Sequence, residues 1–252
     1  DWVKKPIFVS GGYNYSEQQQ FSAQSNYFIN SYIIPPITSS APIKIYLNDP
    51  TGGIVYNYYD SVKSSINRGG IFVNYMAHAG SGYWTNLFED PFVLSNDKYP
   101  MVLSMTCFTG KNAETNVRSY GEKFIYNVNK GAIGFISTTG WSFSNTGNIF
   151  NDYLISAFSV DTLRRVGEIL KKASNRLSSD SSSFAVKNTV NCYNLLGDPA
   201  LKLLLPNYPE FKISSNDYEL SDKYSRIKIS NRVTFYPNNL GINADSCLFR
   251  FQ

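Results

Sequence analysis

The stretch Gly69-Gly70-Ile71-Phe72-Val73-Asn74-Tyr75-Met76-Ala77-His78 decides the fold, because it joins a double-glycine stop, an apolar run and a histidine. A continuous apolar run bounded by turn residues predicts a strand buried in a sheet. A second run of this kind, Met101-Val102-Leu103-Ser104-Met105, is followed two positions later by Cys107. The sequence therefore predicts two buried strands that each end beside a chemically reactive side chain.

Strands and helices alternate on both sides of these two runs. The sequence predicts strands over 7–9, 43–47 and 132–137, and helices over 17–32, 59–67, 119–128, 148–158 and 161–177, the last capped by Asp161. This alternation predicts an α/β fold with a mostly parallel sheet flanked by helices on both faces. Ligands of such sheets bind at the carboxyl ends of the strands, where His78 and Cys107 both fall.

The character of the chain changes near residue 206. No clear helix follows, and residues 227–229, 233–235 and 248–251 alternate as the strands of a β-sandwich do. We therefore expect one domain over 1–206 and the start of a truncated β domain over 207–252. The alternative is a β extension that packs on the first domain.

Composition narrows the function classes. Hydrophobic residues make up 42% of the 252 residues, which predicts a packed core. The sequence contains no run of about 18 apolar residues, so no transmembrane segment is predicted. The net charge is +4, but the basic residues are scattered, so the basic stripe typical of nucleic-acid binding is missing. The chain begins at Asp1, which indicates a mature or trimmed piece of something longer.

The counts of cysteine and histidine limit the possible chemistry. Three cysteines, Cys107, Cys192 and Cys247, are too few and too widely spaced for a disulfide framework or a zinc motif. His78 is the single histidine in the sequence, which excludes a site with several histidine ligands. The sequence predicts no metal and no cofactor.

His78 and Cys107 together suit nucleophilic catalysis. An imidazole can take the proton of a neighbouring thiol, and the thiolate then attacks a carbonyl. The oxyanion that develops needs backbone N–H donors, and a tight turn after a strand presents them. The predicted donors are the amides of Ala79 and Cys107. A lone histidine or a thiol beside an apolar strand is more often structural, so the prediction rests on their joint placement.

Five segments, in order, resemble the gingipain family of cysteine peptidases, which are relatives of the caspases. They are residues 69–81 with Trp84, 100–107 with Thr109-Gly110, Ser119-Tyr120-Gly121-Glu122, 131–138 with Trp141, and Leu195-Leu196-Gly197-Asp198-Pro199-Ala200-Leu201. The resemblance extends over about residues 6 to 205. It implies a caspase-like fold and a thiol peptidase in which Cys107 is the nucleophile and His78 the base.

The resemblance also implies a setting and a pocket. Relatives act on protein or peptide substrates outside the cell or at the bacterial surface, and they leave Bacteroidetes by type IX secretion, so components of that route are expected partners. An immunoglobulin-like domain after the catalytic domain would fit residues 207–252. Trp141 would form a wall of the pocket for the residue before the scissile bond, and Tyr83 and Trp84 would line the same cleft.

The chain departs from the family pattern at the site. Glycine usually flanks the histidine, but Ala77 and Ala79 stand here, and a positive φ at position 79 would strain an alanine. Arginine-specific members carry an acid on the first helix, where this chain has Gln20-Phe21-Ser22. Arginine specificity is therefore not expected. The arginine-specific members also place a glutamate near the histidine, at the position where this chain has Ser10. This leaves Glu17 as a candidate for the third catalytic group, which would orient His78.

Two other functions are compatible with the same residues. A sortase-like transpeptidase of type IX secretion would use the same thiol chemistry but pass the acyl group to an amine. A catalytically degenerate binding or scaffold module would keep the fold without turnover, which the changes at Ala77 and Ala79 favour and the presence of both His78 and Cys107 opposes.

Overall fold

The computed structural model describes residues 2–33, 42–48, 57–205, 218–221 and 226–229. The chain divides into two compact units, residues 1–205 and residues 206–252. In the second unit the described residues form one antiparallel pair, with Arg226 opposite Ser221 and Ile229 opposite Tyr218. The strands predicted over 233–235 and 248–251 lie outside the described residues, and an immunoglobulin-like domain remains a prediction.

The strands of the described residues are β1 (Ile7–Ser10), β2 (Ile43–Tyr46), β3 (Phe72–Met76), β4 (Ala79–Gly80), β5 (Tyr83–Trp84), β6 (Met101–Met105), β7 (Gly134–Thr138), β8 (Tyr193–Gly197), β9 (Tyr218–Ser221) and β10 (Arg226–Ile229). The first unit is built on a six-stranded sheet with the order β2-β1-β3-β6-β7-β8. The first five strands in that order are parallel, and β8 runs antiparallel to β7. This confirms the mostly parallel sheet predicted from the alternation.

Helices cover both faces of this sheet. Alternate residues of a strand point to opposite faces, so Phe8 and Phe72 join one buried cluster, and Val9 and Val73 join the other. The α-helices of the described residues are α1 (Tyr15–Phe28), α2 (Tyr58–Arg68), α3 (Tyr120–Ile125), α4 (Ser144–Ser159), α5 (Val166–Asp180) and α6 (Phe184–Cys192). The first cluster includes side chains of α1, α4, α5 and α6, and the second includes side chains of α2 and α3.

Short irregular elements complete the first unit. One turn of π-helix, Ile29–Ile33, extends α1, and 3₁₀ turns occur at Trp2–Lys4 and Pro91–Val93. In the part of the chain that the structure describes, no helix is both long and apolar enough to cross a membrane.

The prediction that Asp161 caps a helix over 161–177 is wrong. Helix α5 begins at Val166, and its N-cap, Arg165, makes no side-chain capping bond. The carboxylate of Asp161 instead accepts a hydrogen bond of 3.0 Å from Arg176 Nη2, which pairs the loop with the helix. Helix α6 was not predicted; Ser183 caps it by accepting from the Val186 amide.

A buried amide pair joins α4 to the strand that leads to His78. Asn74 in β3 and Asn151 in α4 are both fully buried, and Asn74 Nδ2 donates to Asn151 Oδ1 at 2.8 Å. Buried amides of this kind are costly unless they satisfy each other. The pair therefore specifies how α4 docks on the sheet.

We expect Asn151→Leu to lower the free energy of unfolding by about 1–3 kcal/mol, because it leaves the Asn74 amide buried without its partner. Urea unfolding of the full chain, followed by circular dichroism, measures this. The double variant Asn74→Leu/Asn151→Leu should lose clearly less than the sum of the two single variants. Additive losses would mean that the two amides do not act as a pair.

Candidate active site

The histidine lies just beyond the end of β3. Its backbone is fixed by two donors to the His78 carbonyl, the Tyr75 hydroxyl at 2.8 Å and the Thr85 amide at 3.1 Å. Its ring nitrogen Nε2 lies 3.0 Å from Glu17 Oε2, and both side chains are about one-third exposed. The imidazole therefore keeps access to solvent while one of its nitrogens is held by a carboxylate.

Glu17 is positioned by the start of α1. Asn14 is the N-cap of this helix, and its side chain accepts from the Glu17 amide at 3.0 Å. The Glu17 carboxylate turns back to accept from the Tyr13 amide at 2.8 Å, as a glutamate in the first turn of a helix often does. One oxygen, Oε2, thus accepts from both Tyr13 and His78.

These bonds favour the charged carboxylate. The hydrogen bond from the Tyr13 amide, followed by the bond and charge of His78, lowers the pKa of Glu17 below its ordinary value of 4.5 against the opposing effect of desolvation. A carboxylate that accepts from one imidazole nitrogen fixes the proton there and leaves the other nitrogen as a base. Within the described residues, His78 Nδ1 makes no hydrogen bond, so it is the nitrogen open to a proton from outside.

Two aromatic rings hold the plane of the imidazole. Tyr13 stacks on His78 with ring centroids 4.1 Å apart and planes 7° apart, and Phe21 approaches edge-on at 6.1 Å. Phe21 is buried, whereas Tyr13 is largely exposed. The ring of His78 is therefore fixed by Glu17 at one nitrogen and by aromatic contacts at its faces.

Cys107 is placed at the same level by the neighbouring strand. Strands β3 and β6 are parallel neighbours in which Met76 pairs with Met105. His78 lies two residues after Met76, and Cys107 lies two residues after Met105. The two reactive side chains consequently emerge at the same edge of the sheet, from equal offsets beyond one register pair.

The Cys107 sulfur contacts the segment after β7. The Ser142 amide donates to Cys107 Sγ at 3.3 Å, and the thiol faces the Ser142 carbonyl at 3.7 Å. Cys107 is half-buried, and no hydrogen bond joins it to His78 among the described residues. Each member of the pair is therefore held by its own partner, as is common for catalytic groups without a substrate.

Strain lies immediately beside the sulfur. Phe108 has a φ of 60°, in the left-handed region that a phenylalanine rarely adopts. Its amide lies 3.0 Å from the Gly140 carbonyl and 3.1 Å from Thr138 Oγ1, which hold the turn. A conformation of this kind costs about 1–3 kcal/mol and concentrates at functional sites.

The Ala79 and Cys107 amides, which are predicted to bind the oxyanion, lie just beyond the ends of β3 and β6. Because the Thr85 amide donates to the His78 carbonyl, the next pair of the β4–β5 hairpin, Ala79 with Trp84, is the non-hydrogen-bonded one, and the Ala79 amide points away from β5. The Cys107 amide has no acceptor in the described part of the chain. Ala79 has an extended backbone without positive φ, so alanine replaces glycine here without the strain considered above.

The three predicted pocket residues lie in different surroundings. Trp84 is 0% exposed, stacks on Tyr75 and donates from Nε1 to Ser104 Oγ at 2.9 Å, so the prediction that it lines the cleft is wrong. An indole that directly follows a turn suits the core as well as a pocket, and the pairing of β5 directs it inward. Tyr83 is 45% exposed and Trp141 is 67% exposed; both remain predicted pocket residues.

Sequence reasoning missed several residues that contact the pair. Tyr13 and Phe21 pack on His78, and Ser142 contacts Cys107. The cap formed by Asn14 and Glu17 could have been recognised from its spacing, but the loop that brings Ser142 to the sulfur leaves no local pattern. Among the described residues, no group of three or more His, Cys, Asp and Glu side chains could hold a metal ion.

A mostly parallel sheet covered by helices on both faces, with a histidine and a cysteine beyond two neighbouring strands, is the arrangement expected of a caspase-like cysteine peptidase. The sequence of the chain matches peptidase family C25 over residues 1–204. The chain therefore belongs to this family, the gingipain family of cysteine peptidases.

Solved structures share the fold of the first unit. The Arg specific cysteine proteinase gingipain R (RgpB) is 16% identical, with a TM-score of 0.65 over 84% of this chain and 50% of that one. The complex of Porphyromonas gingivalis RgpB pro- and mature domains is 16% identical, with a TM-score of 0.63 over 82% of this chain and 49% of that one. A structure described as a protease is 18% identical, with a TM-score of 0.64 over 87% of this chain and 51% of that one.

The chain thus spans about half the length of these structural relatives. No curated protein matches its sequence. At these identities the structural likeness shows the caspase-like fold of the gingipains.

The lowered pKa of Glu17 predicts a pH-dependent contribution to stability. Because the folded-state pKa lies below the ordinary 4.5, this contribution is fully present above 4.5 and is lost as the pH falls through the folded-state value. Glu17→Gln should therefore unfold at lower urea than the wild type at pH 7, and the difference should narrow as the pH is lowered from 4.5. Exposed Glu89→Gln is the control, and a difference that widens in acid would contradict the prediction.

Proposed function

We propose that this chain carries a cysteine peptidase site in which Cys107 is the nucleophile, His78 the general base and Glu17 the group that orients His78. The observation that carries the proposal is the shared edge: the register of β3 and β6 offsets both reactive residues equally, and Glu17 holds Nε2 of the imidazole. Membership of family C25 supports the same chemistry.

The reaction follows from these positions. His78 Nδ1 accepts the thiol proton as Cys107 Sγ forms a bond to the peptide carbonyl carbon, and the carbonyl electron pair moves to oxygen. When the tetrahedral intermediate collapses, the C–N bond breaks, and the imidazolium returns its proton to the leaving amine. Water, deprotonated by the same imidazole, then attacks the thioester, and the thiol leaves with the proton.

The negative oxygen of the intermediate needs donors that are free before the substrate arrives. The Ala79 amide points away from its hairpin, and the Cys107 amide has no acceptor among the described residues. We assign the oxyanion site to these two groups. Removal of one such donor typically costs about 10²–10³ in kcat, so their availability matters to the rate.

The proposed substrates are secreted or surface proteins, as the resemblance to gingipains implies, and type IX secretion remains the proposed route. Hydrolysis and amide transfer share every step up to the thioester. If an amine nucleophile is added while the enzyme cleaves a peptide, a sortase-like function would therefore join the acyl part of that peptide to the amine. A degenerate module would neither form the thioester nor react selectively at Cys107.

Selective alkylation tests the thiol–imidazole pair. Iodoacetamide should modify Cys107 faster than Cys192, because β6, which leads to Cys107, is the neighbour of β3, which leads to His78, whereas β8, which follows Cys192, is three strands away from β3. His78→Ala should slow the reaction at Cys107. Peptide mapping by mass spectrometry locates the label. Cys192→Ser is the matched control and should leave the Cys107 rate unchanged. Equal rates at both cysteines, or no effect of His78→Ala, would contradict the proposal.

The role of Glu17 predicts a loss of turnover rather than of binding. Glu17→Ala removes the acceptor at His78 Nε2, so kcat on a cleaved peptide should fall by about 10- to 1000-fold with little change in KM. Glu89→Gln, an exposed carboxylate outside the site, should leave both constants unchanged. A rise in KM at constant kcat would show instead that Glu17 contacts the substrate.

A further inference from the structure

An aromatic pair, in which Trp141 is exposed and Phe108 is half-buried, flanks the proposed nucleophile. The rings of Phe108, directly after Cys107, and Trp141, directly before Ser142, meet edge to face with centroids 4.9 Å apart. Trp141 is 67% exposed although it is the largest apolar side chain of its loop. Large aromatic side chains gain most from burial, so this pair presents an uncovered apolar surface beside the reacting sulfur.

The backbone beneath both rings is braced. The Asn188 side chain, from α6, donates to the Trp141 carbonyl at 2.8 Å, and the Phe108 amide bonds to the Gly140 carbonyl at 3.0 Å. The Ser142 amide bonds to Cys107 Sγ. These short contacts fix the backbone of both residues relative to the sulfur, so a group that binds the rings has little backbone to order.

The charges around the pair decide what it can accept. An aromatic face attracts cations, but Lys111 Nζ already lies 5.6 Å from the centre of the Phe108 ring and is ion-paired with Glu114. A second cation at this ring would have to compete with the Lys111 ammonium for the Phe108 π-system. The carboxylate of Glu17 is bound to His78 and Tyr13, and that of Glu114 is bound to Lys111. Neither carboxylate is therefore free for a substrate guanidinium.

We infer that Phe108 and Trp141 select peptides whose residue before the scissile bond carries a large apolar side chain, aromatic or long aliphatic, and that Lys111 disfavours a cation there. This inference rests on the proposed function and adds the substrate class to it. The buried ring of Phe21, edge-on to His78, continues the apolar character on the histidine side. An apolar pocket discriminates between side chains by about 10- to 200-fold.

Four fluorogenic peptides that differ only at the residue before the scissile bond, Phe, Leu, Arg or Glu, test the selection on the full chain. The ratio of kcat/KM for the Phe peptide to that for the Arg peptide is the readout, because it cancels any general loss of activity. We expect a ratio above 10 in the wild type. Trp141→Ala should lower this ratio about 10-fold.

Lys111→Met should also lower the ratio, by raising kcat/KM for the Arg peptide several-fold. The double variant Lys111→Met/Glu114→Gln should show the same direction, which separates loss of the cation from release of the Glu114 carboxylate. The matched controls are Lys130→Met and Phe92→Ala, which alter a second lysine–aromatic contact, 4.9 Å from ammonium to ring, far from Cys107 in the fold. Both controls should leave the ratio unchanged.

A wild-type preference for the Arg peptide, or an equal loss on all four peptides in Trp141→Ala, would overturn the selection but not the proposed chemistry. Alkylation of Cys107 that depends on His78, without cleavage of any of the four peptides, would also overturn the selection alone. Failure of both cleavage and selective alkylation would overturn the proposed function and the selection together.

Discussion

The parallel pairing of β3 with β6 is the constraint on which the site depends. Met76 pairs with Met105 at the ends of the two strands, and this register aligns them. His78 and Cys107 each follow two residues after this pair. A slip of one strand by a single residue would turn its side chains to the opposite face, exchanging the two buried clusters. The same burial that specifies the sheet therefore specifies that His78 and Cys107 follow neighbouring strands at the same edge.

A second constraint comes from the start of α1. Glu17 completes the helix N-terminus by accepting from the Tyr13 amide, and it reaches His78 with the same oxygen. The end of β1 carries no carboxylate: it is Ser10, whose hydroxyl lies 2.8 Å from that of Ser25 in the core. A helix cap thus supplies a carboxylate that the neighbouring strand lacks, and Tyr13 adds a stacked ring from the same turn.

The sequence allowed the sheet and the reactive pair to be predicted, because both depend on local patterns. Apolar runs stopped by glycine identify buried strands, and reactive residues after two such strands must share an edge in a parallel sheet. Glu17 could be named as a candidate, but its contact with His78 depends on how α1 docks. Trp84 was misassigned because burial of an aromatic side chain depends on strand pairing. The link from Ser142 to Cys107 is tertiary and has no local signature.

In the proposed mechanism, Glu17 fixes the proton of a neutral imidazole on Nε2 and leaves Nδ1 to serve Cys107. Because His78 is the single histidine of the chain, protein labelled with ¹⁵N-histidine gives the signals of one imidazole. We expect the neutral ring to carry its proton on Nε2, and we expect Glu17→Ala to weaken this preference. A neutral ring protonated on Nδ1, unaffected by Glu17→Ala, would contradict it.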